Sequence, residues 1–216
     1  MILCPTWGGA DSIKDLINTG NIEELRKSVE AYINEEKPKT YDSAWKIKDI
    51  IDSLDECWGN IEVQYDDFTK KSAMYYKGVT EISESCHLVP YVTTDSSAMN
   101  FLIGFYAPDW IFFDKIEVSK GNDYIYIPAS RTIKLEDVMP DATVFERIDK
   151  PSLISKDDIG ALSTDSGNVM RFSNSSDGSA LDFNLSNDEV NALKTISLVS
   201  EKYVELSNIV FRYNTY

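Results

Sequence analysis

The residues that could support catalysis are few in this chain of 216 residues. His87 is its single histidine, which excludes a metal site built from several histidines. The adjacent Cys86 invites comparison with a cysteine–histidine pair, in which the imidazole activates the thiol. Adjacent residues on a strand point to opposite faces, so we expect these two side chains not to meet. A structural role for His87 is the better interpretation.

Carboxylates are abundant but form no recognisable site. The chain has 36 aspartates and glutamates, and neither Asp66–Asp67 nor Asp177–Gly178 has the D-x-D-x-D-G spacing of a calcium loop. The GxSxG, P-loop and GxGxxG motifs are absent from the sequence. A carboxylate pair that hydrolyses sugars comes from distant positions, so a carboxylate-dependent hydrolase stays open as an alternative. We therefore predict a non-enzymatic protein with no catalytic residue, no metal and no cofactor.

The formal net charge of −15 is spread along the chain. Binding to nucleic acid or to an anionic membrane surface needs clustered lysines and arginines, so the charge disfavours both. One interpretation is that the charge serves solubility. The other is that an acidic surface meets a protein partner with a basic surface.

The cysteines and the N-terminal residues indicate the cellular compartment in which the protein is expected. Cys4, Cys57 and Cys86 are odd in number and widely spaced, so they predict no disulfide framework, and whether they are free is left open. No apolar run is long enough to span a bilayer, and the first residues lack the pattern of a signal peptide. We expect a cytoplasmic protein if the chain is complete. If the N-terminus has been trimmed, we expect a cell-envelope or secreted protein.

Residues 1–59 form the first predicted domain, a helical segment of three short amphipathic helices. Ser12 is the predicted N-cap of the first helix and Asn21 that of the second. Gly20 separates these helices, because glycine readily takes the left-handed conformation that ends a helix. The apolar stripe of the third helix ends at Trp58, which we place in the core.

Residues 60–216 form the second predicted domain, which is rich in strands. Apolar and polar residues alternate from Ile61 onward, which predicts a series of short strands. Ser186 and Glu189 have the spacing of a capping box and predict a C-terminal helix. Because strands and helices do not alternate, a doubly wound parallel sheet is not expected. The predicted fold is α+β, an antiparallel β-sandwich or curled sheet with an N-terminal helical segment and a C-terminal helix.

The stretch from Trp110 to Val118 is predicted to be a central strand. Its first half is apolar on both faces, which is typical of a strand in the middle of a sheet. Aromatic side chains bury large areas, so this strand supplies most of the predicted core. The predicted core residues in this stretch are Trp110, Phe112, Phe113 and Ile116.

The alternative for this stretch is an aromatic platform that binds a sugar or a peptide. Trp110, Asp109 and Asp114 are then the candidate ligand-binding residues. Otherwise, we expect the two aspartates to cap turns or to bond Arg131 or Arg147.

The order of several segments carries a resemblance to a known family. These segments are YAPDWIFFDKIEV, NDYIYIP, SRTIKL, VFERID and VMRFSNSSDGSALDFNLSNDEVNALKTI. Their order and spacing resemble an uncharacterised family of bacterial lipoproteins and related secreted or phage-borne proteins with a DWxFFDKI-type central strand. The resemblance implies a compact β-rich extracellular domain and gives no catalytic residues. The family normally carries a lipoprotein signal, which this sequence does not show.

Three functions are therefore compared. The first is a soluble binding or interaction protein of unknown ligand, with a protein as the expected partner. The second is an acidic cytoplasmic inhibitor, such as a toxin-immunity or phage anti-defence protein, that neutralises a basic partner. The third is the carboxylate-dependent hydrolase. No direct membrane insertion is expected, and the oligomeric state is left open.

Overall fold

The computed structural model describes most of the chain. The described residues are 13–36, 43–95, 99–120, 123–129, 134–138, 143–151, 154–163 and 167–213. The predicted N-cap Ser12, as well as Cys4 and Arg131, lie outside them. Cys57 and Cys86 are free and buried.

Five helices are present in the described residues, three of them at the N-terminus as predicted. Gly20, at φ 69°, follows the first helix, and the Asn21 side chain accepts a hydrogen bond from the Glu24 N–H at 3.2 Å. These contacts confirm the predicted stop and the predicted N-cap. The helices are α1 (Ile13–Asn18), α2 (Ile22–Glu36), α3 (Ser43–Trp58), α4 (Lys156–Leu162) and α5 (Asn187–Tyr213).

The strands form two antiparallel sheets, so the fold is α+β, with helices at the N-terminus and one helix at the C-terminus. The strand order is β1-β2-β3-β4-β8-β7 in the six-stranded sheet and β10-β9-β5-β6 in the four-stranded sheet. The strands are β1 (Ile61–Asp66), β2 (Lys71–Tyr76), β3 (Leu88–Thr93), β4 (Met99–Ala107), β5 (Lys115–Lys120), β6 (Asp123–Pro128), β7 (Lys134–Val138), β8 (Val144–Pro151), β9 (Val169–Ser173) and β10 (Ala180–Asn184).

The chain divides into two compact units. Unit 1 comprises Met1–Met74, Val92–Ala98 and Leu198–Tyr216, and unit 2 comprises Tyr75–Tyr91 and Met99–Ser197. The predicted domains, residues 1–59 and 60–216, stay a prediction. None of the described helices is long and apolar enough to cross a membrane.

Unit 1 is built on its helices. Residues of α2 and α3 at helical spacing are buried, among them Leu25, Val29 and Leu54. The end of α1 is tied to β2, because Ser72 Oγ donates to the carbonyl of Thr19 at 2.8 Å. Trp58, predicted for the core, is only partly buried, and its ring stacks on that of Tyr203 with centroids 6.4 Å apart.

The core of unit 2 is a cluster of phenylalanine rings contributed by both sheets. Phe105 of β4 and Phe172 of β9 meet edge to face with ring centroids 4.8 Å apart. Phe113 packs on both, at 5.7 Å from Phe105 and 5.0 Å from Phe172. Edge-to-face contacts of this kind add to the free energy that the burial of the rings contributes.

The predicted strand from Trp110 to Val118 is wrong in its first half. β4 ends at Ala107 and β5 begins at Lys115, so residues 108–114 form an irregular connection. The buried side chains are those of Ile111 and Phe113 before this point and those of Ile116 and Val118 after it. The buried side chains therefore switch from odd-numbered to even-numbered positions within the connection, because its backbone is not extended throughout. A periodic pattern in the sequence does not show such a phase change.

Candidate functional site

The connection between β4 and β5, residues 108–114, displays two aromatic rings; we call it the aromatic loop. The Trp110 and Phe112 rings lie nearly parallel, with 10° between their planes and 5.3 Å between their centroids. The Phe112 side chain is 50% exposed, and Trp110 is partly buried. The prediction that Phe112 belongs to the core is therefore wrong, whereas Phe113 and Ile116 are fully buried.

Phe112 has a backbone conformation that phenylalanine rarely adopts. Its φ angle is 53°, in the left-handed region, where a side chain crowds the backbone. A non-glycine residue held in this region costs on the order of 1–3 kcal/mol. The surrounding structure must therefore hold the backbone of the loop in place.

Glu146 of β8 is the residue that holds the loop. Its carboxylate is fully buried and accepts hydrogen bonds from three successive backbone N–H groups. The donors are Ile111 at 2.7 Å, Phe112 at 2.9 Å and Phe113 at 3.2 Å. Successive N–H groups that converge on an anion resemble the nests that bind anionic ligands, and here the anion is a side chain of the protein itself.

The sequence analysis missed Glu146, although a signal for it is present. Val144, Glu146 and Ile148 alternate along β8, and all three are buried. An acidic residue at a core-facing strand position is rare unless it has a partner. The pattern therefore predicts a buried partner for Glu146, but the partner is a backbone segment, which has no signature in the sequence.

A second loop, residues 174–179, braces the aromatic loop. Asn174 Nδ2 donates to the carbonyl of Ile111 at 3.0 Å. The Asp114 carboxylate accepts from both the N–H and the hydroxyl of Ser175, at 2.9 and 3.0 Å. Asp114 thus acts as an anchor between loops, whereas Asp109 is exposed at the start of the aromatic loop. Two of these three contacts join backbone to side chain, so they fix the loop further.

The predicted bonds from the two aspartates to arginine do not form in the described part of the chain. Asp114 bonds to Ser175. Arg147 makes no ion pair with a described residue; its guanidinium lies over the Phe145 ring, 5.8 Å from the ring centroid. Arg131 lies outside the described residues.

Cys86 and His87 are both buried but do not form a reactive pair. Burial raises the pKa of the Cys86 thiol to about 12, and the charge of Glu189 adds to this effect, so the nucleophilic thiolate is disfavoured. The His87 ring packs against the Phe183 ring, with the ring centroids 4.0 Å apart. The His87 Nδ1 atom has no hydrogen-bond partner among the described residues. Burial also lowers the pKa of His87.

Glu189 is the second fully buried carboxylate in the described residues, and it also bonds to backbone. It accepts from the N–H and the hydroxyl of Ser186, at 2.7 and 2.8 Å, which confirms the predicted capping box. It also accepts from the N–H groups of His87 and Leu88, at 2.7 and 2.8 Å. The backbone thus binds both buried glutamates.

Within the described ranges, no three histidine, cysteine, aspartate or glutamate side chains lie close enough together to hold a metal ion. No family model matches the chain, and neither a curated protein nor a solved structure matches it. The resemblance to the lipoprotein and phage-borne family therefore stays a prediction. The geometry of the aromatic loop is what supports a functional hypothesis.

Proposed function

We propose that the chain is a non-enzymatic binding protein that contacts a partner protein through the aromatic loop. One observation carries the proposal. The fold uses a buried carboxylate and a left-handed backbone to keep the Phe112 ring outside the core. Full burial of a phenylalanine side chain contributes about 1.5–3 kcal/mol, and Phe112 forgoes about half of it, so we explain its exposed position by a contact outside the chain.

A protein is the partner that fits this loop best. Tryptophan and other aromatic residues are enriched where most of the binding energy of protein interfaces is concentrated. The Phe112 ring is stacked on Trp110, and the loop backbone is fixed by Glu146, so binding would order few additional groups. A pre-organised contact surface loses less entropy on association and binds more tightly.

The charge of the chain favours a partner with a basic surface. At a net charge of −15, long-range attraction speeds the encounter with a basic protein, and salt weakens that attraction. An acidic inhibitor that neutralises a basic enzyme is the specific case of this proposal. For such an inhibitor, added salt slows association more than it speeds dissociation.

The carboxylate-dependent hydrolase receives less support. A hydrolase of this kind needs two carboxyl groups that face each other across a cleft. Glu146 and Glu189, the buried glutamates described above, bond instead to separate backbone segments. We therefore treat both as structural residues.

Affinity capture with matched variants tests the proposal. The chain is immobilised and exposed to a lysate of the cells that encode it, and the captured proteins are identified by mass spectrometry. The double variant W110A/F112A removes both rings, and Tyr124→Ala is the control, since Tyr124 is 71% exposed on β6 in the same unit. We expect a partner that the wild type and Tyr124→Ala retain and the double variant loses. Equal recovery of all partners by the three proteins would contradict the proposal.

A further inference from the structure

Strand β1 lies at an edge of the six-stranded sheet. The strand order begins with β1, which pairs with β2, and no strand of the described residues pairs with its other side. In an antiparallel pair, alternate residues turn their N–H and C=O groups away from the neighbouring strand. β1 therefore presents a row of backbone donors and acceptors that no described strand binds.

This edge lacks two residue types that commonly protect an edge strand from pairing. Proline and lysine are typical of protected edges, and β1 contains neither. Two other edge strands have one of them, since β6 ends at Pro128 and β7 begins with Lys134. Val63 and Tyr65 of β1 belong to the residue types that favour strands. The edge is therefore suited to the addition of a further strand.

β1 and the turn that follows it expose three apolar side chains. Val63 is 36% exposed, Tyr65 45% and Phe68 95%. The turn is fixed by the Asp66 carboxylate, which accepts from the N–H groups of Phe68 and Thr69 at 2.8 and 3.3 Å. We call Val63, Tyr65 and Phe68 the edge strip.

The other face of β1 is acidic. Because side chains alternate along a strand, Glu62, Gln64 and Asp66 project to the side opposite Val63 and Tyr65, and all three are exposed. Glu62 accepts a hydrogen bond from the Gln64 amide at 2.9 Å and makes no ion pair with a described residue. β1 contains no basic residue. A basic side chain beside this face would therefore be attracted.

The lysines that follow β1 do not neutralise this face. Lys70 pairs with Asp67 at 3.6 Å, and Lys71 pairs with Asp95 at 2.8 Å. The charge of the whole chain, −15, has the same sign as the acidic face. Electrostatic complementarity therefore favours a basic segment over a neutral or an acidic one.

A second copy of the chain fits this edge poorly. An antiparallel pair of two β1 strands with Gln64 opposite itself would place Glu62 of one copy opposite Asp66 of the other. Like charges that are directly opposite each other destabilise a strand pair. Both copies would also carry −15. The acids on β1 thus oppose self-association but leave the edge open to a basic strand.

We propose that β1 binds an extended basic peptide segment of another protein, which adds to the sheet as a further strand. The backbone of the segment bonds the outward N–H and C=O groups of β1. Its basic side chains lie beside Glu62 and Asp66, and its apolar side chains pack against the edge strip. Opposed side chains of paired strands share a face, so the segment alternates basic and apolar residues. The proposal does not depend on the aromatic loop.

Nuclear magnetic resonance titration of the full chain tests this proposal. The probe is the peptide acetyl-Lys-Val-Lys-Val-Lys-Val-amide. One comparison peptide has glutamate in place of each lysine, and the other is the lysine peptide with every residue N-methylated, which keeps the charges but blocks strand pairing. We expect only the lysine peptide to shift the amide resonances of β1. At saturation, alternate amides of β1 should exchange with solvent about tenfold more slowly or less.

Variants at two edges provide the controls. Tyr65→Thr keeps a residue that favours strands but removes the ring from the edge strip, and it should weaken binding of the lysine peptide by several-fold or more. Tyr126→Thr is the matched substitution on the edge strand β6, where Tyr126 is 55% exposed, and it should leave binding unchanged. Glu62→Gln should weaken binding, and added salt should do the same in the wild type.

Four results would overturn the proposal. Equal binding of the N-methylated peptide would show attraction without strand addition, and equal binding of the glutamate peptide would remove the charge preference. Shifts without protection of alternate β1 amides would place the peptide elsewhere, as would equal losses in Tyr65→Thr and Tyr126→Thr. The three peptides are compared on the wild-type chain, so this comparison decides even if a variant fails to fold.

Discussion

Glu146 determines the shape of the aromatic loop, because one carboxylate satisfies three successive N–H groups. In Glu146→Gln, one oxygen becomes an NH₂ group that cannot accept these bonds. Hydrogen bonds to a charged group contribute about 1.5–3 kcal/mol each, so we expect a loss of about 2–4 kcal/mol in the free energy of unfolding. Urea denaturation measures this loss.

Glu117→Gln is the matched control for this substitution. Glu117 lies on β5 and pairs with Lys115 at 2.6 Å, but both side chains are partly exposed. A solvated ion pair contributes little, so the control should change the free energy of unfolding by less than about 1 kcal/mol. Equal losses in the two variants would show that Glu146 does not anchor the loop.

His87 should make the stability depend on pH. Burial lowers its pKa in the folded chain below the value of about 6.5 in the unfolded chain. The unfolded state then binds more protons, so the free energy of unfolding is largest above about pH 6.5 and falls as the pH decreases below it, at up to about 1.4 kcal/mol per pH unit. Glu189 carries a negative charge near the ring and opposes this shift.

His87→Gln isolates this effect, because the chain has one histidine. Between about pH 5 and 6.5, urea denaturation of the variant should give a smaller slope of stability against pH than the wild type. The lowered pKa values of Asp66, Asp95, Asp177 and Asp182 place their titration at more acid pH. The same slope in both proteins would mean that His87 is not the group that titrates.

The regular spacing of apolar residues predicts helices and strands, but it does not predict where a loop interrupts a strand. The helices of unit 1 and the capping box of α5 follow from local residue types, since caps and amphipathic faces depend on near neighbours. The aromatic loop depends on Glu146, which is 33 to 35 residues away along the chain. The residue types from Trp110 to Ile116 are typical of a strand. The hydrogen bonds to the distant Glu146 carboxylate hold the first half of this stretch as a loop.

Helix α4 shows the same limit. It lies in a polar stretch with few apolar residues, and its N-cap Ser155 accepts from the Asp158 N–H at 3.1 Å. Its Ile159 and Leu162 are buried. Seven residues with two buried side chains give too short a pattern to distinguish from a loop.

The Glu189 carboxylate joins the start of α5 to the start of β3, so it should matter more than an ordinary cap. Ser186→Ala removes one capping hydroxyl and should cost about 1 kcal/mol of the free energy of unfolding. Glu189→Ala also leaves the N–H groups of His87 and Leu88 without their acceptor and should cost about 3 kcal/mol or more. Urea denaturation of both variants gives the comparison. Similar losses of stability in the two variants would show that Glu189 acts only as a helix cap.

For the whole molecule, composition and charge constrain function less than the placement of a few residues does. The −15 charge disfavours binding to nucleic acid and favours a basic partner, but it does not identify the surface that binds the partner. The aromatic loop depends on Glu146 of β8, which lies next to the connection that follows β4. A pattern of neighbouring residues in the sequence does not show this arrangement.

A substitution of Phe112 can remove the contribution of the aromatic loop to binding without lowering the stability of the fold. Glycine accepts a φ of 53° without the crowding that phenylalanine suffers, so Phe112→Gly should change the free energy of unfolding by no more than about 1 kcal/mol. The same substitution removes the exposed ring and should weaken partner binding.

The most direct test of the account is therefore a paired measurement on Phe112→Gly against the wild type. Its stability is measured by urea denaturation, and its affinity is measured for the partner that the wild type captures. We predict preserved stability with binding weakened about tenfold or more. Unchanged affinity, or a loss of stability of about 2 kcal/mol or more, would show that Phe112 serves the fold and would contradict the account.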